Sequence, residues 1–289
     1  MIFDSVEALL QSTEESGQPL WSCILHQSAE ESGITPERSR AQMLQCLKAM
    51  READASYDPA QRSRSKLVGG AAEKMKQQVE AGRSISGDFI GQILAGALRM
   101  GECNACMHRI VAAPTAGACG VLPAVLLPYA RKYQTADEDL VNALYVAAGF
   151  GAVIASRASI SGAEAGCQAE IGSASAMAAA ALVYLHGGSA EQMATAVAIA
   201  LKNLMGLVCD PVAGLVEVPC VKRNAIGAMN ALTAAELALA DIRSAIPADE
   251  VIDAMRQVGD DLPSSLRETG KGGVAATPTA LRFAGQFFQ

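Results

Sequence analysis

Between Asp88 and Val208 the sequence holds several helix-length runs in which small residues occupy nearly every face. "DFIGQILAGALRMGE", "LVNALYVAAGFGAVIAS", "SASAMAAAALVYLHGG" and "AEQMATAVAIALKNLMGLV" are the clearest. A helix that is apolar all round is buried. Small side chains let such backbones approach closely, and alanine has the strongest intrinsic preference for the helix. Hydrophobic residues make up 51 % of the 289-residue chain but aromatic residues only 4 %, so the core must be built from many small side chains. No stretch shows sustained two-residue alternation of β-branched residues or an Asn-Gly hairpin signal. The expected fold is therefore all-α, a compact cluster of Ala/Gly-rich buried helices.

The length allows one large domain or two ordinary ones. We read a single helical domain over 1–289, with more charged, peripheral helices over 1–85 and the central cluster over 86–289. In the first part, amphipathic helices are expected at 3–15, 21–32, 36–57 and 70–81, with Thr35 as N-cap and Pro36 at the first helical position. "QRSRSKLVGGAAEKM" (61–75) reads as a polar, glycine-containing loop, and "PADEVIDAMRQVG" as a surface helix ending at Gly259. A net charge of -7 argues against nucleic acid as a partner, because neutralising phosphates needs a basic face. No run of about 18 apolar residues lacks a charge or a helix breaker, so no membrane span is expected. The start, "MIFDSVEALLQSTEE", lacks the basic and apolar regions of a signal peptide.

Eight cysteines without a secretory signal point to a reducing, cytoplasmic setting, where thiols stay free or bind metal. Cys23 and Cys46 lie in helical surroundings and read as packing residues. Cys103 and Cys106 form one C-x-x-C pair, ambiguous between zinc and redox chemistry because no second pair follows at zinc-ribbon spacing. His186, in "LHGG", reads as a residue at a helix C-terminus. Four glycine- and proline-marked loops interrupt the buried helices: "AAPTAGACG" (112–120), "SISGAEAGC" (159–167), "CDPVAGLVEVPC" (209–220) and "RETGKGGVAATPT" (267–279). Cys167, Cys209 and Cys220 begin or end two of them. Three thiolates reaching a common point can hold an iron–sulfur cluster or a zinc ion. The three histidines, at 26, 108 and 186, lie in no ligand-rich setting. Three cysteines without histidine fit a cluster whose fourth iron has no thiolate and is open as a Lewis acid.

"ASISGAEAGCQAEIGSASAMAAAA", "LVCDPVAGLVEVPCVKRNAIGAMNA" and "LRETGKGGVAATPT" closely resemble the iron–sulfur-dependent L-serine dehydratases, specifically their α chain. The resemblance covers nearly the whole chain. It implies a mostly helical catalytic domain holding a [4Fe-4S] cluster on Cys167, Cys209 and Cys220. It also implies conversion of L-serine to pyruvate and ammonia without pyridoxal phosphate. Two departures stand out. Many single-chain relatives end in a cysteine-bearing tail, whereas here "RFAGQFFQ" ends the sequence and no cysteine follows Cys220; Cys119, where relatives commonly carry alanine, is not read as a ligand. Relatives also contain a β portion with a Ser-Ser-His-Thr motif that is absent here, so the chain is expected to be one subunit of a two-chain enzyme, a heterodimer or higher assembly.

For such a reaction, an open iron would stabilise the departing hydroxide while a base removes the α-proton. Candidates to hold the substrate are Thr115, Ser159, Ser161 and Gly162, with Lys202 and Arg223 as carboxylate partners. The hydroxyl residues can equally close turns or cap helices. The base is open among Glu164, Glu170, Lys202 and a histidine of the β chain; Ser161, Thr115, Lys202 and Glu164 form the expected catalytic set. A related lyase acting on L-cysteine or another β-substituted amino acid shares these features. A non-catalytic metal-binding scaffold predicts instead a closed four-thiolate site. A pyridoxal enzyme would need a Schiff-base lysine, and Lys271 in "TGKGG" lacks the partner set.

Overall fold

Local capping chemistry sets most of the helix boundaries. Ser5 accepts the Ala8 N–H and opens α1 (Val6–Ser16), which Gly17 closes in the left-handed region at φ 64°. α2 (Leu20–Glu31) follows, and Thr35 then caps α3 (Pro36–Ala55) through the Arg38 N–H, with proline at its first position as expected. α4 spans Ala71–Glu80. The computed structural model describes residues 3–287, and among them it contains thirteen α-helices and no strand. The all-α reading holds. The remaining helices are α5 (Gly87–Ala105), α6 (Val121–Tyr133), α7 (Asp137–Arg157), the single turn α8 (Gly162–Ala165), α9 (Ser173–Leu185), α10 (Ala190–Leu204), α11 (Cys220–Leu239), α12 (Ala248–Asp261) and α13 (Pro278–Phe287).

α9 is the central element. It packs against α6, α7, α10 and α11, and every residue from Ser173 to Val183 is buried. Its alanine-rich surface is what admits neighbours on every side. α7 is long and apolar enough to cross a membrane by length and composition, yet 72 % of its most apolar window is buried inside the protein. It serves as a core helix. α1, α2 and α3 lie against α7, and Asp249 of α12 ties down the start of α1 by accepting the N–H groups of Val6 and Glu7 at 2.9 and 3.0 Å. α13 packs on the short turns Val212–Gly214 and Gly273–Ala276, and Arg64 lies over its Phe287 ring.

Just before α9 the backbone widens into one π-helical turn, Gln168–Gly172. Gln168, fully buried, holds this turn in place. Its side chain donates to the Met255 carbonyl (3.1 Å) and accepts the Gly206 N–H (2.8 Å), while its own N–H donates to the Leu207 carbonyl (2.9 Å). The turn is thereby pinned between α12 and the end of α10.

Gly227 shows how tight the helix contacts are. A Cβ there would fall 2.8 Å from Ile171 Cγ2 and 2.9 Å from Val121 Cγ2, where α11 meets the π-turn and α6. Gly227→Ala is expected to lower unfolding free energy by about 1–3 kcal/mol through overpacking. Gly285→Ala, in α13 with nothing within 4 Å of the added methyl, should stabilise by up to about 1 kcal/mol through helix propensity. Urea denaturation of both variants checks the contrast.

Candidate active site

The four loops marked in the sequence meet beyond the N-terminal end of α9. Cys167 lies immediately before the π-turn, and Glu170 lies within it. Thr115, from the 112–120 loop, donates to Glu170 Oε1 at 2.6 Å. A Cβ on Gly117 would fall 3.0 Å from that same oxygen. A Cβ on Gly162 would fall 2.6 Å from Glu170 Oε2 and 3.0 Å from Cys209 Sγ, so glycine leaves a gap between carboxylate and thiol. Cys209 pairs with Arg267 in an isolated parallel bridge: its N–H donates to the Leu266 carbonyl (2.9 Å) and its carbonyl accepts the Glu268 N–H (2.8 Å). That bridge joins the 209–220 and 267–279 loops.

Cys220 is the first residue of α11, and one turn on, Asn224 locks this helix end to the 112–120 loop. Asn224 accepts the Gly120 N–H (2.8 Å) and donates to the carbonyls of Gly117 (2.8 Å) and Cys220 (3.0 Å). Glycine is required at 120, because a Cβ would lie 2.8 Å from the Ala97 carbonyl and 2.9 Å from Asn224 Oδ1. From the same helix turn, Arg223 donates to the Val208 carbonyl at 2.8 Å.

Cys167, Cys209 and Cys220 are all buried. Burial pushes the Cys167 thiol up to about 12, although the neighbouring Arg223 draws it down. Cys220 is likewise pushed up to about 12, by burial first and then by negative charge at Cys167 and Glu170. Cys209 is raised by burial, and further by Cys167, Glu170, Glu268 and Cys220. Glu170 itself is raised by burial, partly offset by the Thr115 hydrogen bond. Among the described residues no three His, Cys, Asp or Glu side chains close tightly enough to grip a single metal ion.

The other expected residues divide clearly. Thr115, Gly162 and Arg223 reach this site. Ser159 donates to Glu164 Oε2 (2.6 Å) and accepts the Ser161 N–H (3.0 Å), so it serves the turn, and Glu164 is exposed. Ser161 precedes α8 but its hydroxyl makes no capping bond. Lys202 is exposed on α10, where its ammonium donates to Ser244 at 2.7 Å, and the structure does not bring it to the loops. Cys103 and Cys106 close the end of α5 near Tyr57, Gln61 and His108; burial pushes the Cys103 thiol up to about 11. Cys119 is buried, and its thiol donates to the Met100 carbonyl. His186 ends α9, its Nδ1 3.2 Å from the Tyr129 hydroxyl. A cleft of about 670 Å³ lies elsewhere, between α1, α10 and residues 244–250. Asn224, Asp210 and Gln168 were not singled out from the sequence, because each acts on partners distant in the chain.

Fold and site together define an all-α scaffold with three buried cysteines on its glycine-marked loops, one of which, Cys209, faces the Glu170 carboxylate across Gly162. The sequence profile of the serine dehydratase alpha chain matches residues 15–275. The "Probable L-serine dehydratase, alpha chain" of Bacillus subtilis (strain 168) is 47 % identical over 287 residues, 99 % of this chain and 96 % of that protein. The "L-serine dehydratase, alpha chain" of Peptoniphilus asaccharolyticus is 39 % identical over 289 residues, covering 100 % and 99 %. "L-serine dehydratase 1" of Escherichia coli (strain K12) is 47 % identical over 183 residues, but these make up only 40 % of that longer protein. The chain belongs to the serine dehydratase alpha chain family.

Glu170 gives a stability prediction with a definite sign. Its folded pKa is raised, so the folded state binds a proton more readily than the unfolded chain. Its contribution is therefore most favourable below the ordinary carboxylate range and is lost as pH rises through the raised value. Glu170→Gln is expected to raise the urea midpoint at pH 7, with the gain shrinking as pH falls toward 4.5. A gain independent of pH would contradict the assignment of that burial cost to the carboxylate.

Proposed function

We propose that this chain is the α subunit of a [4Fe-4S]-dependent L-serine dehydratase, with the cluster held by Cys167, Cys209 and Cys220. The observation that carries the reading is that all three cysteines of the matching motifs are buried on the loops beside α9, with the Cys209 sulfur and the Glu170 carboxylate on either side of the gap at Gly162. Buried thiols raised this far stay neutral on their own, and a bound cation reverses that preference. The ligands of a multi-iron cluster each bind a different iron, so they need not converge as a single ion requires. The donor set fits the group. When bound, the cluster supplies a Lewis acid for departure of the substrate hydroxyl.

This chain's own residues do the rest. Glu170 is the candidate base that stands among the thiols, and Thr115 fixes Oε1, leaving Oε2 toward the gap to accept the α-proton. Loss of that proton and of the β-hydroxyl from L-serine gives aminoacrylate, which tautomerises to the imine and hydrolyses to pyruvate and ammonia. The glycine-opened backbone at Gly117 and Gly162 lets the substrate approach closely, and the Ser161 hydroxyl, unused in capping, is available to it. A β chain completes the enzyme: the name "alpha chain" of the relatives supports a partner, as does the greater length of the Escherichia coli relative. Eight free cysteines suit the cytoplasm.

Anaerobic reconstitution with iron and sulfide tests the cluster. The wild-type chain and Cys23→Ala should take up iron and turn brown, whereas Cys209→Ala should lose most of both; full iron in Cys209→Ala would overturn the assignment. Serine turnover by the reconstituted chain should rise roughly 10-fold or more, about 1.4 kcal/mol in barrier, when the β chain is added. In the complete enzyme, Ser161→Ala is expected to keep iron content and melting temperature but lose roughly 10-fold in turnover. Unchanged turnover with a lowered melting temperature would confine Ser161 to a structural role.

A further inference from the structure

Asn224 lies one turn into α11, only 2 % exposed, with its amide nitrogen and oxygen both in use. The oxygen accepts the Gly120 N–H at 2.8 Å, and the nitrogen donates to the carbonyls of Gly117 at 2.8 Å and Cys220 at 3.0 Å. Two of these bonds grip the 112–120 loop at its short turn, Ala116–Ala118, and the third returns to Cys220 on the same helix. Thr115 leads directly into that turn, and its hydroxyl donates to Glu170 Oε1 at 2.6 Å. A single side chain thus joins the first turn of α11, which begins with Cys220, to the loop that holds the carboxylate.

Burying an amide costs much of what its hydrogen bonds return, so the net gain in stability is modest. What a satisfied buried group adds is one fixed arrangement of its partners. The loop backbone is confined on both sides. A Cβ at Gly120 would fall 2.9 Å from Asn224 Oδ1, and one at Gly117 would fall 3.0 Å from Glu170 Oε1. We infer that Asn224 is a positioning residue for the dehydration: it seats the 112–120 loop so that Thr115 holds Oε1 while Oε2 stays turned to the gap at Gly162. This rests on the function proposed above, with Glu170 as the base. Asn224 makes no hydrogen bond to Glu170 among the described residues and acts through Thr115.

Asn224→Asp keeps the size and an acceptor for Gly120 but loses both donors. Thr115→Val keeps the shape of its side chain and loses the hydroxyl. These variants, their double variant and Glu170→Gln would be reconstituted with iron and sulfide, joined to the β chain, and compared with wild type. Iron content, melting temperature, kcat and KM for L-serine are read on each preparation. Both single variants should keep their iron and lose roughly 10-fold in kcat, since small displacements of a reacting group cost rates of this order. In the Thr115→Val background, Asn224→Asp should cost less than about 3-fold more, because the bond it supports is already gone. Losses that multiply in the double variant, or an unchanged kcat in either iron-replete single variant, overturn the positioning role. Should Asn224→Asp fail to fold, Asn224→Ala, which removes the same donors without burying a charge, decides by the same cycle. Full turnover by Glu170→Gln, or a wild-type chain that takes up no iron, would instead overturn the proposed function and this inference with it, a result distinct from any outcome of the cycle.

Discussion

Helix α9 runs through the protein with buried residues at every position from Ser173 to Val183, and four helices close on it. A helix can be enclosed this way only if it offers no bulky ridge, which is why alanine and serine dominate it. Close packing then leaves little freedom to slide, since cores this dense resist changes of a single methylene. The consequence reaches the site directly. α9 begins where the π-turn ends, so the best-packed element in the protein fixes the start point from which Cys167 and Glu170 are placed. Gln168, anchored to Met255, Gly206 and Leu207, carries that rigidity across the turn.

The thiol site runs against the preferences of the core that supports it. Three buried thiols, a carboxylate with a raised pKa and a partly buried guanidinium stand where leucine could pack at lower cost. The structure accommodates them by satisfying the surrounding backbone. Asn224 alone makes three hydrogen bonds that tie α11 to the 112–120 loop, and the Cys209–Arg267 bridge ties two further loops together. Glycines at 117, 120 and 162 open the space that these groups require. A polar site in an alanine-rich core stays ordered because its loops are bonded to one another as well as to the helices.

Much of this architecture is legible in the sequence, for identifiable reasons. The N-cap at Thr35 with Pro36 is a local signal, and the helix follows from it. All-round small residues announced the buried helices, and glycine and proline punctuation marked the four loops. The candidate site was harder to read. Lys202 and Glu170 are equally plausible bases on paper, yet one faces solvent beside Ser244 and the other stands between Gly117 and Gly162. Ser159 and Ser161 look alike in "SISG", but only Ser159 is consumed by the turn. Asn224 reaches Gly117 across 107 positions and Asp210 reaches Val274 across 64. Contacts of that span depend on how helices stack, which no local pattern encodes.

Arg223 shows why a residue's type and neighbourhood do not fix its role. An arginine beside a small-molecule site invites assignment to a substrate carboxylate, because its fork matches that group. Here Nη1 and Nη2 are already committed, to the Val208 carbonyl and to Asp210. Freeing it for substrate would strand the buried Asp210 charge, a cost of several kcal/mol on the scale of broken buried pairs. The Ser161 hydroxyl, by contrast, makes no capping bond, and glycine keeps the space beside the Glu170 carboxylate open at 117 and 162. The division of labour follows from counting donors. What the protein has already bonded holds its loops together, and Arg223 belongs to that set.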